Sequence, residues 1–512
     1  MSEVAAGVAV PPPSGLMAVG RQTAVYAAGM FLAKALSFLL LPLYTHFLSP
    51  ADYGVIQLIE MTFEIVSIVA GARLTVGIFH FYHKAPDDRG RQGVLSTAAL
   101  LLSASFAAVA AVVALFAPAI SRLVFSGPQH EWPIRIAAAA FAFQGLWFVP
   151  QAFLRVRESP MIFVLVDVAK LFLLAGFNIL FLVVFGLGLI SVFWSSLIAS
   201  ASIGVWLAVY LARRVGLRFD PASAGDLWRF GLPLVFTQVA TFILTFSNRY
   251  FLNAAGSEAD VGLYSLAWQF GLLPTFVALM PFSLVWDPIR FRIARQPDRD
   301  QLFAQAFVYL NAMLVSATVV LLLFIDDVLR VMTAPEFRAA GRLVPVILVA
   351  YVLQAWSGVL DIGIMFRERT RYNTLANWLA AGVALVGYVY LIPRYMGMGA
   401  ALATLVAFAV RTAVIFVVSQ RLFPVRYEWW PVIRLLLYAA AAAGLGALLP
   451  ASWPPAGSLA ARGLLVLGFT ACLWWGRVLP DEHRRRLRTL VFRRGRPTLA
   501  AVAALVRGEP GG

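Results

Sequence analysis

The chain is written as long apolar runs separated by short polar connections, and the runs are too long for buried strands. A helix needs about 20 mostly apolar residues to cross the hydrocarbon core of a bilayer. Fourteen runs meet or approach that length, at about 21–47, 55–79, 94–117, 134–153, 161–184, 189–212, 232–254, 262–286, 302–325, 343–366, 372–392, 399–418, 432–449 and 459–478. No connection is long enough to be a soluble domain; residues 326–342 read as an ordinary link between two spans. A β-barrel would show segments of about ten residues alternating in polarity instead. The pattern predicts an all-α polytopic membrane protein of about fourteen transmembrane helices.

Part of the pattern is written twice. FLSPADYGVIQL (47–58) joins the first two runs, and GSEADVGLYSL (256–266) echoes it about 208 residues later. Ala51, Asp52, Gly54 and Leu58 fall on Ala259, Asp260, Gly262 and Leu266. A second hairpin repeats at a shift of about 211, with Gly186 and Gly188 matching Gly397 and Gly399. The chain therefore reads as two similar six-helix lobes. Six is even, so both enter the membrane in the same direction, a parallel repeat with a cavity expected between the lobes. The expected organisation is a disordered leader over 1–20, an N-lobe over 21–215 and a C-lobe over 216–425. An extra helix pair over 426–480 and a basic tail over 481–512 follow.

Composition agrees: 61% of residues are hydrophobic and 13% charged, against about 25% charged in soluble domains. The net charge of +16 is distributed for topology, not for nucleic acid. One set of loops holds Lys84, Arg89, Arg91, Arg155, Arg157, Arg213, Arg214, Arg218 and Arg229, then Arg290, Arg292, Arg295, Arg299, Arg367, Arg369, Arg371, Arg421, Arg426 and Arg434. The opposite set holds only Arg122, Arg330, Arg338, Arg342 and Arg394. Positive residues stay inside, so both termini are expected in the cytoplasm of a plasma membrane. The leader lacks the basic and apolar parts of a signal peptide. The tail's Arg clusters beside an apolar segment fit an anionic lipid surface. A lone cysteine, Cys472, can build neither a disulfide nor a cysteine-based metal site.

Chemistry is expected where charge lies inside the membrane, because an ionisable residue at mid-span costs at least about 2.5–3.5 kcal/mol and faces a partner or a wet cavity. Lys34 and Arg411 are deep in their spans, with Arg73 and Arg249 less so. Together they would make a cavity that attracts an anion. Glu60 and Glu64 stand four apart on one helix face, where two carboxylates repel and could recruit a proton or sodium ion. Asp167 and Lys170 are three apart and read as an internal ion pair; Asp361 is expected to pair with Arg367. No cofactor is expected: the five histidines show no metal-ligand spacing, and there is no P-loop, nucleotide fingerprint or Ser/His/Asp arrangement.

Several stretches, in order, resemble polysaccharide-export flippases, the Wzx-like branch of the MOP superfamily. They are FLSPADYG (47–54), FLRVRESP (153–160), SNRYFL (247–252), VGLYSLA (261–267), RERTRYN (367–373) and LIPRYMGMGAALATLVAF (391–408). The resemblance covers about residues 20–480. It implies a MATE-like fold with two lobes and a central cationic cavity. It also implies translocation of undecaprenyl-diphosphate-linked oligosaccharides from the cytoplasmic to the periplasmic leaflet, alongside partners such as a polysaccharide polymerase. Family members often carry Asp-Arg where this chain has Asn248-Arg249, which keeps the cation and removes the acid. The alternatives are a lipid II flippase, a drug/cation antiporter of the same superfamily, or an enzyme that polymerises or ligates the lipid-linked glycan. An antiporter would favour an acidic cavity, and such an enzyme a sizeable outer loop.

Overall fold

The computed structural model describes residues 29, 32, 38–71, 74–85, 87–157, 160–450, 453–476 and 478. The expected leader and basic tail, and the candidate residues Lys34 and Arg73, lie outside them. Among the described residues the regular structure is all helical. Twelve helices are long and apolar enough to cross a membrane. Large apolar side chains such as Leu115, Leu448 and Trp475 stand at 73%, 79% and 76% exposure. On a water-soluble protein such a surface would aggregate; in a bilayer it is the lipid-facing surface.

The chain runs from α1 (Phe38–Phe47) into α2 (Pro50–Val69), α3 (Leu74–Lys84), α4 (Asp88–Leu115), the short α5 (Ala117–Phe125), α6 (Glu131–Val156), α7 (Pro160–Asn178) and α8 (Ile190–Val215). After a short connection come α9 (Pro221–Phe246), α10 (Asn248–Ala255), α11 (Glu258–Gly271), α12 (Met280–Ile293), α13 (Arg299–Met332), α14 (Val344–Val359) and α15 (Ile362–Phe366). The last are α16 (Arg371–Leu422), α17 (Trp429–Ala447) and α18 (Pro455–Trp475).

Two differences from the expected spans have clear causes. The 52 residues of α16 would reach about 78 Å as one straight helix, more than twice the hydrocarbon thickness. They are not straight: Met396 has φ 49° and ψ −127°, three residues after Pro393, so the run holds the two crossings predicted at 372–392 and 399–418. The predicted link at 326–342 is in fact helical. α13 continues to Met332, and a 3-10 turn covers Pro335–Arg342. Asp327 and Arg330 pair at i,i+3, so these charged residues are held on the helix rather than in a loop.

The echoed turns build the same local structure. Ser49 and Ser257 each cap a helix by accepting from the N–H of Asp52 and Asp260, while each Asp side chain accepts from its Ser backbone N–H. That reciprocal capping box satisfies donors a helix start leaves open. The two capped helices, α2 and α11, then cross at the echoed glycines. A Cβ on Gly54 would overlap the Glu258 carbonyl, and one on Gly262 would overlap that of Pro50. Each glycine meets the other's helix start, the reciprocal contact expected about a two-fold axis.

Contacts divide the chain into two units. One comprises Met1–Phe276 with Ile325–Leu422, and within it an apolar cluster gathers Leu102, Phe106, Phe141, Val149 and Leu211 from α4, α6 and α8. The other comprises Val277–Phe324 with Phe423–Gly512. Here Trp286 meets Phe303 edge-on at 5.2 Å, and Phe307 does the same with Trp429 at 5.5 Å.

Candidate functional site

Arg411 sits in the second half of α16, half-buried, and is held by neutral groups from two helical segments. Its Nε donates to Oδ1 of Asn377 at 2.7 Å, and its Nη1 donates to Oγ of Ser357 at 2.8 Å. Asn377 in turn donates to Thr241 of α9 at 3.3 Å. The carboxylate field it feels is that of Asp361, which the sequence reading assigned to Arg367. The Nε of Arg367 donates to the Leu422 carbonyl at 3.3 Å.

Arg249 is on α10, and its neighbour Asn248 reaches α16 at Thr404. Thr404 stands seven residues before Arg411, about 10 Å along the axis of α16. Asn248 donates to Thr404 at 3.3 Å. Arg249 itself is wholly buried. Its Nε donates to Ser265 at 3.2 Å, and its Nη1 donates to the Thr245 carbonyl at 3.2 Å and to Asn248 at 3.0 Å. Three rings box the guanidinium: Trp268 at 4.8 Å, Tyr264 at 5.4 Å and Phe246 at 5.6 Å. Its Nη2 has no hydrogen-bond partner among the described residues. Among those residues, neither Arg249 nor Arg411 has a carboxylate at ion-pair distance.

The acidic candidates are both exposed on α2. Glu60 accepts from Gln57 Nε2 at 2.9 Å, and its field reaches Tyr44 and Tyr53. Tyr53 also accepts from Gln269 of α11 at 2.8 Å, which ties this helix to the one carrying the Arg249 box. Glu64 is placed one turn on. Farther away, Asp167 accepts from Gln151 at 3.0 Å and feels the charge of Lys170, which lies 4.3 Å from the centre of the Trp147 ring.

Sequence reasoning located the arginines but not what holds them. Asn377, Ser357 and Thr241 are uncharged polar residues in apolar runs, a weaker signal than charge but a readable one. Trp268 and Tyr264 look like ordinary core aromatics until Arg249 is placed between them. Among the described residues no group of His, Cys, Asp and Glu could hold a metal ion.

A membrane-length helical array around mid-span arginines and a duplicated helix start defines a class, and solved structures share its fold. The chain is similar to the lipid II flippase MurJ in an inward closed conformation, with TM-score 0.73 and 12% identity over 88% of this chain and 98% of that one. It is similar to an inward-facing multidrug resistance MATE family transporter of the MOP superfamily, with TM-score 0.62 and 17% identity over 76% and 94%. A MOP superfamily transporter from Pyrococcus furiosus gives TM-score 0.57 and 18% identity over 79% and 95%. No curated protein sequence matches the chain. Residues 19–294 match the family described as polysaccharide biosynthesis protein. The chain belongs to that family.

Proposed function

We propose that this protein is a flippase, which carries undecaprenyl-diphosphate-linked oligosaccharide repeat units from the cytoplasmic to the periplasmic leaflet of a bacterial inner membrane for polysaccharide biosynthesis. The working architecture is fourteen helices: two parallel six-helix lobes and an extra C-terminal pair, with both termini cytoplasmic. The observation that carries the reading is Arg411. A guanidinium within an apolar run, hydrogen-bonded by the neutral Asn377 and Ser357, has charge to offer a ligand. Arginine also suits phosphate, because its planar fork donates two bonds at once. Lys34 and Arg73 would complete the diphosphate site, and Arg249 would join it when its aromatic box opens. Glu60 and Glu64 are the places for a coupling proton or sodium ion. The polyprenyl tail stays in lipid while the lobes change access, and a polymerase takes the product outside.

The test is flipping of a fluorescent polyprenyl-diphosphate glycan in vesicles. The double variant Lys34→Ala, Arg411→Ala should lose transport by tenfold or more while remaining folded; transport at the wild-type rate would remove this model. The fold shared with the lipid II flippase favours a second reading, in which the cargo is the peptidoglycan precursor. Depletion followed by measurement of peptidoglycan precursors separates the two: accumulation of lipid II would favour the second.

A further inference from the structure

A cleft of about 160 Å³ opens between α4, α6 and α8, and its lining includes none of the residues that hold Arg249 or Arg411. It exists because three helices place small side chains against one another there: Ser103 on α4, Gly145 on α6, and Ala208 and Ala212 on α8. Its wall is apolar apart from a few atoms. One of them follows from Pro150, which has no N–H to give the carbonyl of Leu146 one turn earlier. At one end the cleft is bounded by Gly216 and Leu217, where α8 stops and the chain leaves in a left-handed turn, with φ 80° at Gly216.

That end is fixed and strongly basic. The N–H of Arg218 donates to Ser96 at 2.5 Å and the N–H of Asp220 donates to Thr97 at 2.9 Å, so the connection to α9 is pinned across α4. Hydrogen bonds from Ser223 hold the Asp220 carboxyl below the usual carboxylate range and keep it charged as the cap of α9. Arg213, Arg214 and Arg218 are exposed around this end. Ala208 lies seven residues before the end of α8, about 10 Å deeper along the helix. The cleft thus runs from a cationic rim at the helix ends into the depth that lipid chains occupy.

We propose that this cleft binds an anionic phospholipid of the bilayer, with a length of one acyl chain between α4, α6 and α8 and the phosphate against Arg213, Arg214 and Arg218. A water-soluble peptide or nucleotide would leave the deep apolar part unfilled. A cavity of about 150 Å³ takes a six-carbon ring, so this one takes a comparable length of a single unbranched chain. A polyprenyl chain, methyl-branched at every isoprene unit, is the poorer fit. Because Gly216 and Leu217 wall the cleft and also begin the link between the sequence repeats, the lipid sits on the segment that joins them.

The experiment is native mass spectrometry of the full-length protein taken from nanodiscs of mixed phosphatidylglycerol and phosphatidylethanolamine. The wild type should retain phosphatidylglycerol in preference. Replacing Arg213, Arg214 and Arg218 with Gln should weaken that preference by about fivefold for each arginine. Ala208→Leu, with Ala99→Leu as a second filling variant, should cost retention of both lipids alike. Unchanged preference in the arginine variant overturns the proposal, and these exposed positions test it even where a filling variant fails to fold. Added polyprenyl phosphate that displaces phosphatidylglycerol at equal concentration would overturn the choice of occupant. None of these readouts depends on transport.

Discussion

At the scale of single residues, Arg249 and Arg411 look alike in the sequence and differ in the structure. Both are arginines in apolar runs, and the cost of charge in hydrocarbon marks both. What separates them is their neighbours, which come from segments far apart in the chain. Arg411 remains half-exposed on neutral tethers, whereas Arg249 is sealed among Phe246, Tyr264 and Trp268, its Nη2 without a hydrogen-bond partner among the described residues. A buried charge that lacks an ionic partner is a net burden on the fold, and replacing buried ionic groups with apolar ones is often neutral or stabilising by about 1–4 kcal/mol. Arg249→Met should therefore keep or raise the thermal unfolding midpoint in detergent. If the charge is retained for cargo, transport in vesicles should fall by tenfold or more. A lowered midpoint with normal transport would assign Arg249 to structure alone.

At the scale of elements, the echoed turn was the most legible part of the chain. Asp52/Asp260 and Gly54/Gly262 stood out as a repeat, and the structure gives both pairs their work. The aspartates close the capping boxes, and the glycines let α2 and α11 cross backbone to backbone. Ser49 and Ser257 carry a weaker signal, because serine is common in any loop. The helical end of α13 is also hard to read, since charge near Asp327 and Arg330 resembles a loop unless their i,i+3 pairing is considered. Other bonds tie the same region together: His130 to Glu258 at 3.1 Å, and Asn253 to the Val124 carbonyl at 2.6 Å. Gly262→Ala puts a methyl group where Pro50 already stands, and overpacking of this kind costs about 1–3 kcal/mol. That cost applies only while the crossing is closed, so it shifts the protein toward states in which α2 and α11 separate. With Cys472→Ser as background, a thiol reagent should label Val261→Cys, at a position wholly buried on α11, about fivefold faster or more when Gly262→Ala is present. Equal labelling rates would mean that the crossing does not open.

At the scale of the whole molecule, the uneven arginines and the proposed cationic site make one joint demand. In the proposed orientation the Arg-rich loops face the cytoplasm, and a site that attracts anions would load cargo from there. A diphosphate carries its charge outward, and a membrane that is negative inside favours that movement by about 2.3 kcal/mol per charge per 100 mV. Two charges double the drive, so the potential alone could supply more than the energy of a tenfold gradient. In proteoliposomes, an inside-negative potential of about 100 mV set by a potassium gradient and valinomycin should speed outward flipping by tenfold or more. Reversing the gradient should slow it. Cation exchange at Glu60 would add a separate dependence on the pH or sodium gradient, which Glu60→Gln should remove while the response to potential persists. Flipping that ignores the potential in wild type and variant alike would mean that the cargo's charge is neutralised on the way, and the proposed arginine site would then have to move with it.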